Sequence, residues 1–365
     1  MILPRVRGVA FDLRKISDFC STKTNIIRAD IGEPNLPPPA EIFPLLEKYN
    51  TKDSVGYAPT FGEPSLLNAL EIFESEKYSY FSEPLSCVTA GAQSGLFAVF
   101  ASVLKQHDGV VLHNAFYPPY QTIATLLGAE VQTRDLPHLT SLPKNGKLIV
   151  LCNPCNPTGE VFSRESLKRI ADFARKQDML ILSDDVYDRI AFVPVSHIAE
   201  FAPERTISLN SVSKSFALPG LRVGWMTGEA SLIQEVAKTH RCLVSCPNTP
   251  AQRAVAELLH TADLYLENNR KEYEQRAQKL KKIIDTLGWE TPSPQGALYM
   301  LPHIPAMTDS EKFVFEMIEQ AGVSAVPGKY FGEDNGDRIR LCYGSLRFSD
   351  LEKVATQLSS FWNAR

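Results

Sequence analysis

The chain has 365 residues, 44% hydrophobic and 22% charged, with a formal net charge of −4 at pH 7. That is enough apolar material for a buried core, and the length suits two domains or one large domain with a lobe. No basic block occurs, which argues against nucleic acid or an anionic membrane surface as the main partner.

The N-terminus reads MILPRVRGVAFDLRK, with charges where a signal peptide carries its apolar run. The longest apolar stretch, about Leu96 to Leu104, is far short of the roughly 20 residues a spanning helix needs. A cytoplasmic location is therefore expected. The Pro-rich segment GEPNLPPP can run along a first lobe or complete a second. Seven cysteines are an odd number in a long chain, so no disulfide framework is expected. Cys152 with Cys155 and Cys242 with Cys246 leave a zinc or redox site formally open. The plain reading is free thiols and no metal.

From about residue 86 to 230, short apolar runs alternate with helical patterns. Strands are predicted at Cys87–Ala90, Gly109–His113, Glu130–Thr133, Lys147–Cys152, Met179–Ser183, Thr206–Leu209 and Arg222–Met226. Helices such as Gln93–Leu104 and Arg164–Lys176 fall between them. This alternation predicts an α/β domain with a mostly parallel sheet flanked by helices. Ligands of such sheets bind beyond the carboxyl ends of the strands.

After the first strand comes GAQSG, where Gly91, Ala92 and Gln93 open a helix. Free N–H groups there suit a phosphate, although a tight turn explains the same residues. After the second comes NAFYPPY, with Phe116, Tyr117 and Tyr120 on a rigid turn that can cover a planar ring or simply pack. After the fourth, NPCNPTGE places Asn153 and Asn156 before prolines, where a plain turn is also sufficient. After the fifth, Asp184 is the first charge beyond a buried strand, with Tyr187 three residues on. A buried carboxylate there needs a cationic partner; a solvated loop acid does not. After the sixth comes SVSKSFALPGLRVG, where Lys214 lies among serines and Ser211 and Arg222 suit a phosphate. A desolvated lysine has the lowered pKa that a Schiff-base amine needs.

The stretch from Ala262 to Leu287 has no Gly or Pro and predicts one long helix leaving the sheet domain. Hairpin-like strands at Ala297–Leu301 and Ile339–Tyr343, with a helix Asp309–Ala321, predict a smaller α+β domain. The expected division is 46–270 for the large domain, and 1–45 with 271–365 for the small one.

Taken together, these residues resemble the class I and II aminotransferases, pyridoxal phosphate enzymes of the aspartate aminotransferase fold. The pattern S-x-S-K-x5-G-x-R-x-G is matched by Ser211, Ser213, Lys214, Gly220, Arg222 and Gly224. N-P-x-N-P-T-G is matched from Asn153 to Gly159, and D-x-x-Y by Asp184 and Tyr187. G-Y-x-P-x-x-G-x-P-x-L is matched by Gly56, Tyr57, Pro59, Gly62, Pro64 and Leu66. Gly32 and Pro34 match an early G-x-P, and Arg340 a late R-[LI] strand. Departures are Asp185 where Glu is frequent, Ala115 where Pro usually precedes the aromatic turn, and Cys155 at a variable position.

The resemblance implies roles. Lys214 forms the internal aldimine with pyridoxal 5′-phosphate and later shuttles the substrate proton. Asp184 pairs with the pyridine N–H, Tyr187 and Asn156 bond the ring oxygen, and Tyr117 stacks on the ring. Gly91, Ala92, Gln93, Ser211 and Arg222 hold the phosphate. Arg340 forks the substrate α-carboxylate, with the Gly32 backbone and Asn156 alongside. Tyr57 reaches the phosphate of a neighbouring subunit, so a homodimer is expected. The implied reaction is a ping-pong exchange of an amino group between an L-amino acid and a 2-oxo acid. A lyase (β-elimination) or decarboxylase on the same fold remains open, as does, remotely, a non-catalytic metabolite-binding regulator. Some aspartate aminotransferases of this family carry a Lys where this chain has Gln93. No other cation near the motifs is an obvious replacement, an Arg or Lys of a partner chain staying open, and Phe116, Tyr117 and Tyr120 are aromatic. Neutral or aromatic donors are therefore expected over aspartate.

Overall fold

Unbroken runs of Val, Ile and Leu mark strands that are buried on both faces. The computed structural model describes residues 3–7, 9, 12–141 and 145–365; Met1, Ile2, Gly8, Ala10 and Phe11 of the N-terminal segment lie outside the described residues. The main sheet holds β1 Pro84–Thr89, β2 Gly109–His113, β3 Glu130–Arg134, β4 Gly146–Cys152, β5 Leu180–Asp184, β6 Thr206–Ser211 and β7 Gly224–Glu229. Their order is β1-β7-β6-β5-β4-β2-β3. The pairs among β2 to β6 are parallel, and β7 is antiparallel to both β1 and β6. This is the expected α/β architecture with a mostly parallel sheet.

Alternation sends successive side chains to opposite layers. Val110, Leu112, Leu148, Val150 and Leu182 pack with Leu96, Phe100, Ile123 and Ile233 from helices on one side. Val111, Ile149, Leu151 and Ile181 pack with Leu167 and Ile170 on the other. Each such fully buried aliphatic contributes about 1.5–3 kcal/mol. The helix carrying Leu167 spans Arg164–Lys176, as its sequence predicts; Ser163 caps it, with Glu165 in the first turn and Arg175 and Lys176 in the last.

Two strand starts differ from the sequence reading by two residues or more. β1 starts at Pro84, because pairing with β7 extends it to face Glu229. β7 starts at Gly224, because Arg222 adopts φ 54°, ending the turn Pro219–Leu221 before the strand begins.

The long helix Asp263–Thr286 leads to a second sheet of β8 Tyr299–Met300, β9 Val326–Pro327 and β10 Ile339–Cys342, ordered β8-β10-β9 and antiparallel. The two expected strands do pair, but helix Ser310–Ala321 and β9 intervene in sequence, so they form no hairpin. Ile16, Cys20 and Ala29 enter the core of this part beside Leu280, Ile284, Met317 and Leu341. Ile42 instead packs with Leu66, Leu70 and Val255 beside the main sheet. Among the described residues no helix is long and apolar enough to cross a membrane.

Candidate active site

The register brings the carboxyl ends of the central strands level. Cys152 faces Asp184, Asp184 faces Leu209, and Ser211 and Thr89 both face Gly224. A cavity of about 450 Å³ opens over this edge. Of the residues singled out from sequence, Gly32, Ala92, Gln93, Tyr117, Asn156, Asp184, Tyr187, Ser211, Lys214, Arg222 and Arg340 all line it. Gly91 lies directly behind the wall, and Tyr57 is elsewhere.

At one end is an anion cradle. Gly91 caps helix Ala92–Val103 at φ 71°, and Ala92 and Gln93, whose N–H groups open the helix, line the cavity. A Cβ on Gly91 would lie 2.2 Å from the Arg222 guanidinium, and one on Gly224 would lie 2.9 Å from the Ala92 nitrogen. Glycine at both positions is what lets the guanidinium, the helix start and the end of β6 converge. Ser211 closes the group, its oxygen accepting from the Ser213 N–H at 3.3 Å.

Asp184 forms the floor. It is buried, and one oxygen accepts from the Tyr120 hydroxyl at 2.5 Å. The other, Oδ1, has no partner. Burial pushes the carboxyl up to about 6, against the pull of the Tyr120 hydrogen bond. Tyr117 meets Tyr120 edge-on, with centroids 5.5 Å apart. Tyr187 shares a hydrogen bond of 2.8 Å with Tyr299, and burial holds both phenols well above their ordinary value.

Lys214 donates to the Gly32 carbonyl at 2.5 Å. Burial holds its amine below the ordinary lysine value, and the positive charge of Arg340 adds to the effect. Arg340 itself is buried, bonding Asn156 Oδ1 at 3.2 Å and the Asp30 carbonyl at 2.8 Å. Its carbon lies 4.5 Å from the Tyr299 ring centroid, while its Nε has no partner. Most of a guanidinium fork is thus fixed by protein and part is unspent.

Asp185 points away from this site. It accepts from Ser183 Oγ at 2.6 Å and lies 3.4 Å from Lys77 Nζ. Lys77 is buried and also holds Glu74 at 2.9 Å and Asp188 at 2.7 Å. Burial alone would raise Asp188, but Lys77 outweighs it and holds the carboxyl at about 2. Asn210 ties the cluster to the site, donating to Glu74 and Asp188 and accepting from the Ser211 N–H at 2.8 Å.

Tyr57 is 89% exposed and lines a separate cleft with Gly220, Leu221 and Pro247. Within one chain it does not reach the cavity. The seven cysteines are unpaired in the structure, and among the described residues no metal-ligand set assembles.

The structure adds residues that the sequence reading did not assign. Tyr120 was placed on the aromatic turn, but its hydroxyl belongs to Asp184; its position three residues after Tyr117 was the available signal. Tyr299 lies on a predicted strand with nothing local to mark it. Leu13, Arg14 and Ser17 come from helix Asp12–Ser21 and line the cavity, with no motif to announce them.

The residues present fit pyridoxal phosphate. A glycine-shaped cradle with a guanidinium and a helix start suits the phosphate. The orphaned, buried Asp184 oxygen suits a ring N–H. A lysine of lowered proton affinity lines the same cavity.

Comparison with known proteins follows the same line. The family model for aminotransferase class I and II matches residues 24–358. An aspartate aminotransferase of Pyrococcus horikoshii is 30% identical over 360 residues, 94% of this chain and 92% of that protein. Aromatic-amino-acid aminotransferase 2 of Thermococcus litoralis is 29% identical, over 95% of this chain and 94% of that one. The crystal structure of Pyrococcus protein A1 superposes with a TM-score of 0.92 at 26% identity, covering 99% of this chain and 98% of that one.

Proposed function

The chain belongs to the class I and II aminotransferases, a family that uses pyridoxal 5′-phosphate, and from that membership we propose that it exchanges an amino group between an L-amino acid and a 2-oxo acid in two half-reactions. The observation that carries the reading is the juxtaposition of Lys214, Asp184 and the anion cradle on one cavity wall. The cofactor supplies an aldehyde carbon and an electron-accepting ring when bound.

The chain's own residues have separable tasks. Ala92, Gln93, Ser211 and Arg222 bind the phosphate. Asp184 Oδ1 accepts the ring N–H and keeps that proton in place. Tyr187 and Asn156 bond the ring oxygen, and Tyr117 covers a ring face. Lys214 Nζ, with its lowered proton affinity, takes the proton from the substrate Cα and returns it elsewhere on the reacting system. Arg340 Nε is available to the substrate α-carboxylate.

Two lobes, 46–270 and 1–45 with 271–365, enclose the cavity in this reading. The exposed Tyr57 completes the phosphate site of a second copy, making the enzyme a homodimer. The unpaired thiols fit a cytoplasmic enzyme.

For the donor, we favour neutral or aromatic side chains over aspartate. Gln93 offers an amide where a charge would be needed, and Leu13, Leu96, Tyr117 and Tyr299 give the wall an apolar and aromatic surface. The named relatives act on both classes, an aspartate enzyme and an aromatic one. The test is a screen of aspartate, alanine, methionine, phenylalanine and tyrosine against several 2-oxo acids. Formation of a new amino acid supports amino transfer; pyruvate and ammonia released without an acceptor would instead indicate elimination. A clear preference for aspartate would overturn the donor reading alone.

A further inference from the structure

Behind the wall of the cavity lies a buried ionic cluster that meets the site at Asn210. Lys77 is buried and holds Glu74 at 2.9 Å, Asp188 at 2.7 Å and Asp185 at 3.4 Å. Asp185 and Asp188 bracket Tyr187, so the same cation pins the turn after β5. A buried ion cluster is a weak way to stabilise a fold, since apolar side chains of like volume often do as well. What it supplies is fixed direction, and Asn210 carries that direction to the site.

β5 ends at Asp184, whereas β6 runs on to Ser211. The Leu209 carbonyl still accepts from the Asp185 N–H at 2.8 Å. Ser211, two residues further, turns its own N–H to the same side, past the end of β5. Left unpaired in the interior, that N–H would be costly. The Asn210 side chain takes the place of the missing strand, its Oδ1 accepting from the Ser211 N–H at 2.8 Å. Its Nδ2 donates to Glu74 Oε1 at 3.3 Å and to Asp188 Oδ2 at 3.2 Å. The two carboxylates accept and the backbone N–H donates, so the amide has one orientation that satisfies all three. Asn210 and Ser211 are both buried.

Ser211 has bonding capacity left over. Its Oγ accepts from the Ser213 N–H at 3.3 Å, which starts the short helix Val212–Ser215, and its hydroxyl hydrogen has no acceptor among the described residues. Ser211 lines the cavity, and Asn210 stands behind it. We propose that Asn210, held through its amide by Glu74 and Asp188, is a positioning residue that fixes Ser211 to donate to the cofactor phosphate. This rests on the cofactor reading of the cavity. Asn210 acts through Ser211 and needs no contact of its own with cofactor or substrate.

The experiment titrates the cofactor-free full chain with pyridoxal phosphate, pyridoxal and inorganic phosphate, as wild type, Asn210→Ala, Ser211→Ala and the double variant. The ratio of the pyridoxal dissociation constant to that of pyridoxal phosphate isolates the phosphate contacts. Asn210→Ala is expected to lower this ratio about tenfold, the size of one lost hydrogen bond to a charged group, and to weaken inorganic phosphate alike. In the Ser211→Ala background the same substitution lowers it by less than about twofold, because the residue through which Asn210 acts is gone. Asn210→Asp keeps an oxygen for the Ser211 N–H while adding a carboxyl group beside Glu74 and Asp188, so it lowers the melting temperature yet keeps most of the ratio. Ile170→Ala, a truncation in the core layer beyond the sheet, lowers stability and leaves the ratio unchanged. The proposal is overturned if Asn210→Ala changes the ratio by less than about twofold, or if its loss multiplies in full with that of Ser211→Ala. It is also overturned if Ile170→Ala lowers the ratio as much. Should Asn210→Ala not fold, Asn210→Ser, too short to span the carboxylates and the Ser211 N–H, is judged by the same criteria. A wild type that binds pyridoxal as tightly as pyridoxal phosphate would overturn the cofactor reading together with the proposal.

Discussion

Asp184 offers a test in which one substitution has opposite effects on the cofactor-free and the loaded protein. Burial lifts its carboxyl from the ordinary 3.8 to about 6. Each pH unit is worth about 1.4 kcal/mol, so holding the group ionised at neutral pH costs the cofactor-free fold about 3 kcal/mol. The folded state binds this proton more tightly than the unfolded state does. Below pH 3.8 the acid is neutral in both states and the cost vanishes; above about 6 it is ionised in both and the cost is complete. Stability from this group therefore falls as pH rises between those values.

Asp184→Asn removes the charge while keeping an acceptor for Tyr120. Denaturant unfolding of the cofactor-free protein across this pH range should show the variant more stable than wild type at neutral pH, by up to about 3 kcal/mol. The difference should vanish near pH 4. Pyridoxal phosphate should then stabilise wild type more than the variant, because a ring N–H answers Asp184 Oδ1 only when the carboxylate is present. Equal stability of the two cofactor-free proteins at neutral pH, with parallel pH profiles, would refute the argument that burial without a cation governs this acid.

Borohydride reduction of the loaded enzyme should fix the cofactor to Lys214, as read by peptide mapping; a label on another lysine would sink the assignment. Asp184→Asn should cost far more half-reaction rate than cofactor affinity, and Asp185→Asn far less rate; the reverse pattern would mean that the wrong acid of the pair had been chosen. Lys77→Met should destabilise the fold by about 3–5 kcal/mol, because three buried carboxylates lose their cation. That contribution is present at neutral pH and lost in wild type as acid protonates Asp188, held at about 2, so the two proteins should converge in acid unfolding. Sedimentation should find a homodimer, and Tyr57→Phe should weaken cofactor binding without dissociating it; an active monomer would contradict the role given to Tyr57.

Much of the site was legible because strand ends are local. Asp184, Ser211 and Lys214 each follow a predicted apolar run by a few residues, and parallel register does the rest. The bounds of helix Arg164–Lys176 were legible for the same reason, since Ser163 and the charged termini mark them. What escaped depended on contacts distant in sequence. β1 was read short because its extension is supplied by β7, more than a hundred residues on. Arg14 went unnoticed because an arginine on an N-terminal helix reads as solvated surface. Only packing of Ile16 and Cys20 against residues near 280 and 317 brings it to the cavity. Tyr299 was hidden likewise, its hydroxyl meeting Tyr187 across 112 positions.

The adjacent acids Asp184 and Asp185 show how one peptide step divides chemistry from structure. Both are almost fully buried; Asp184 is the last residue of its strand and Asp185 the first beyond it. Side chains alternate at a strand end, so one carboxylate faces the cavity and the next faces the layer behind it. There Lys77 supplies a cation, and the cluster is closed by Ser183 and Asn210. On the cavity side the protein supplies only the Tyr120 hydroxyl and leaves Oδ1 unanswered. Asp185 Oδ2 also lacks a hydrogen bond, but it has the Lys77 cation 3.4 Å away, whereas Asp184 Oδ1 has neither a donor nor a cation beside it among the described residues. The unanswered oxygen of Asp184 is therefore the stronger mark of a ligand site, because its burial is offset only when a hydrogen-bond donor enters the cavity.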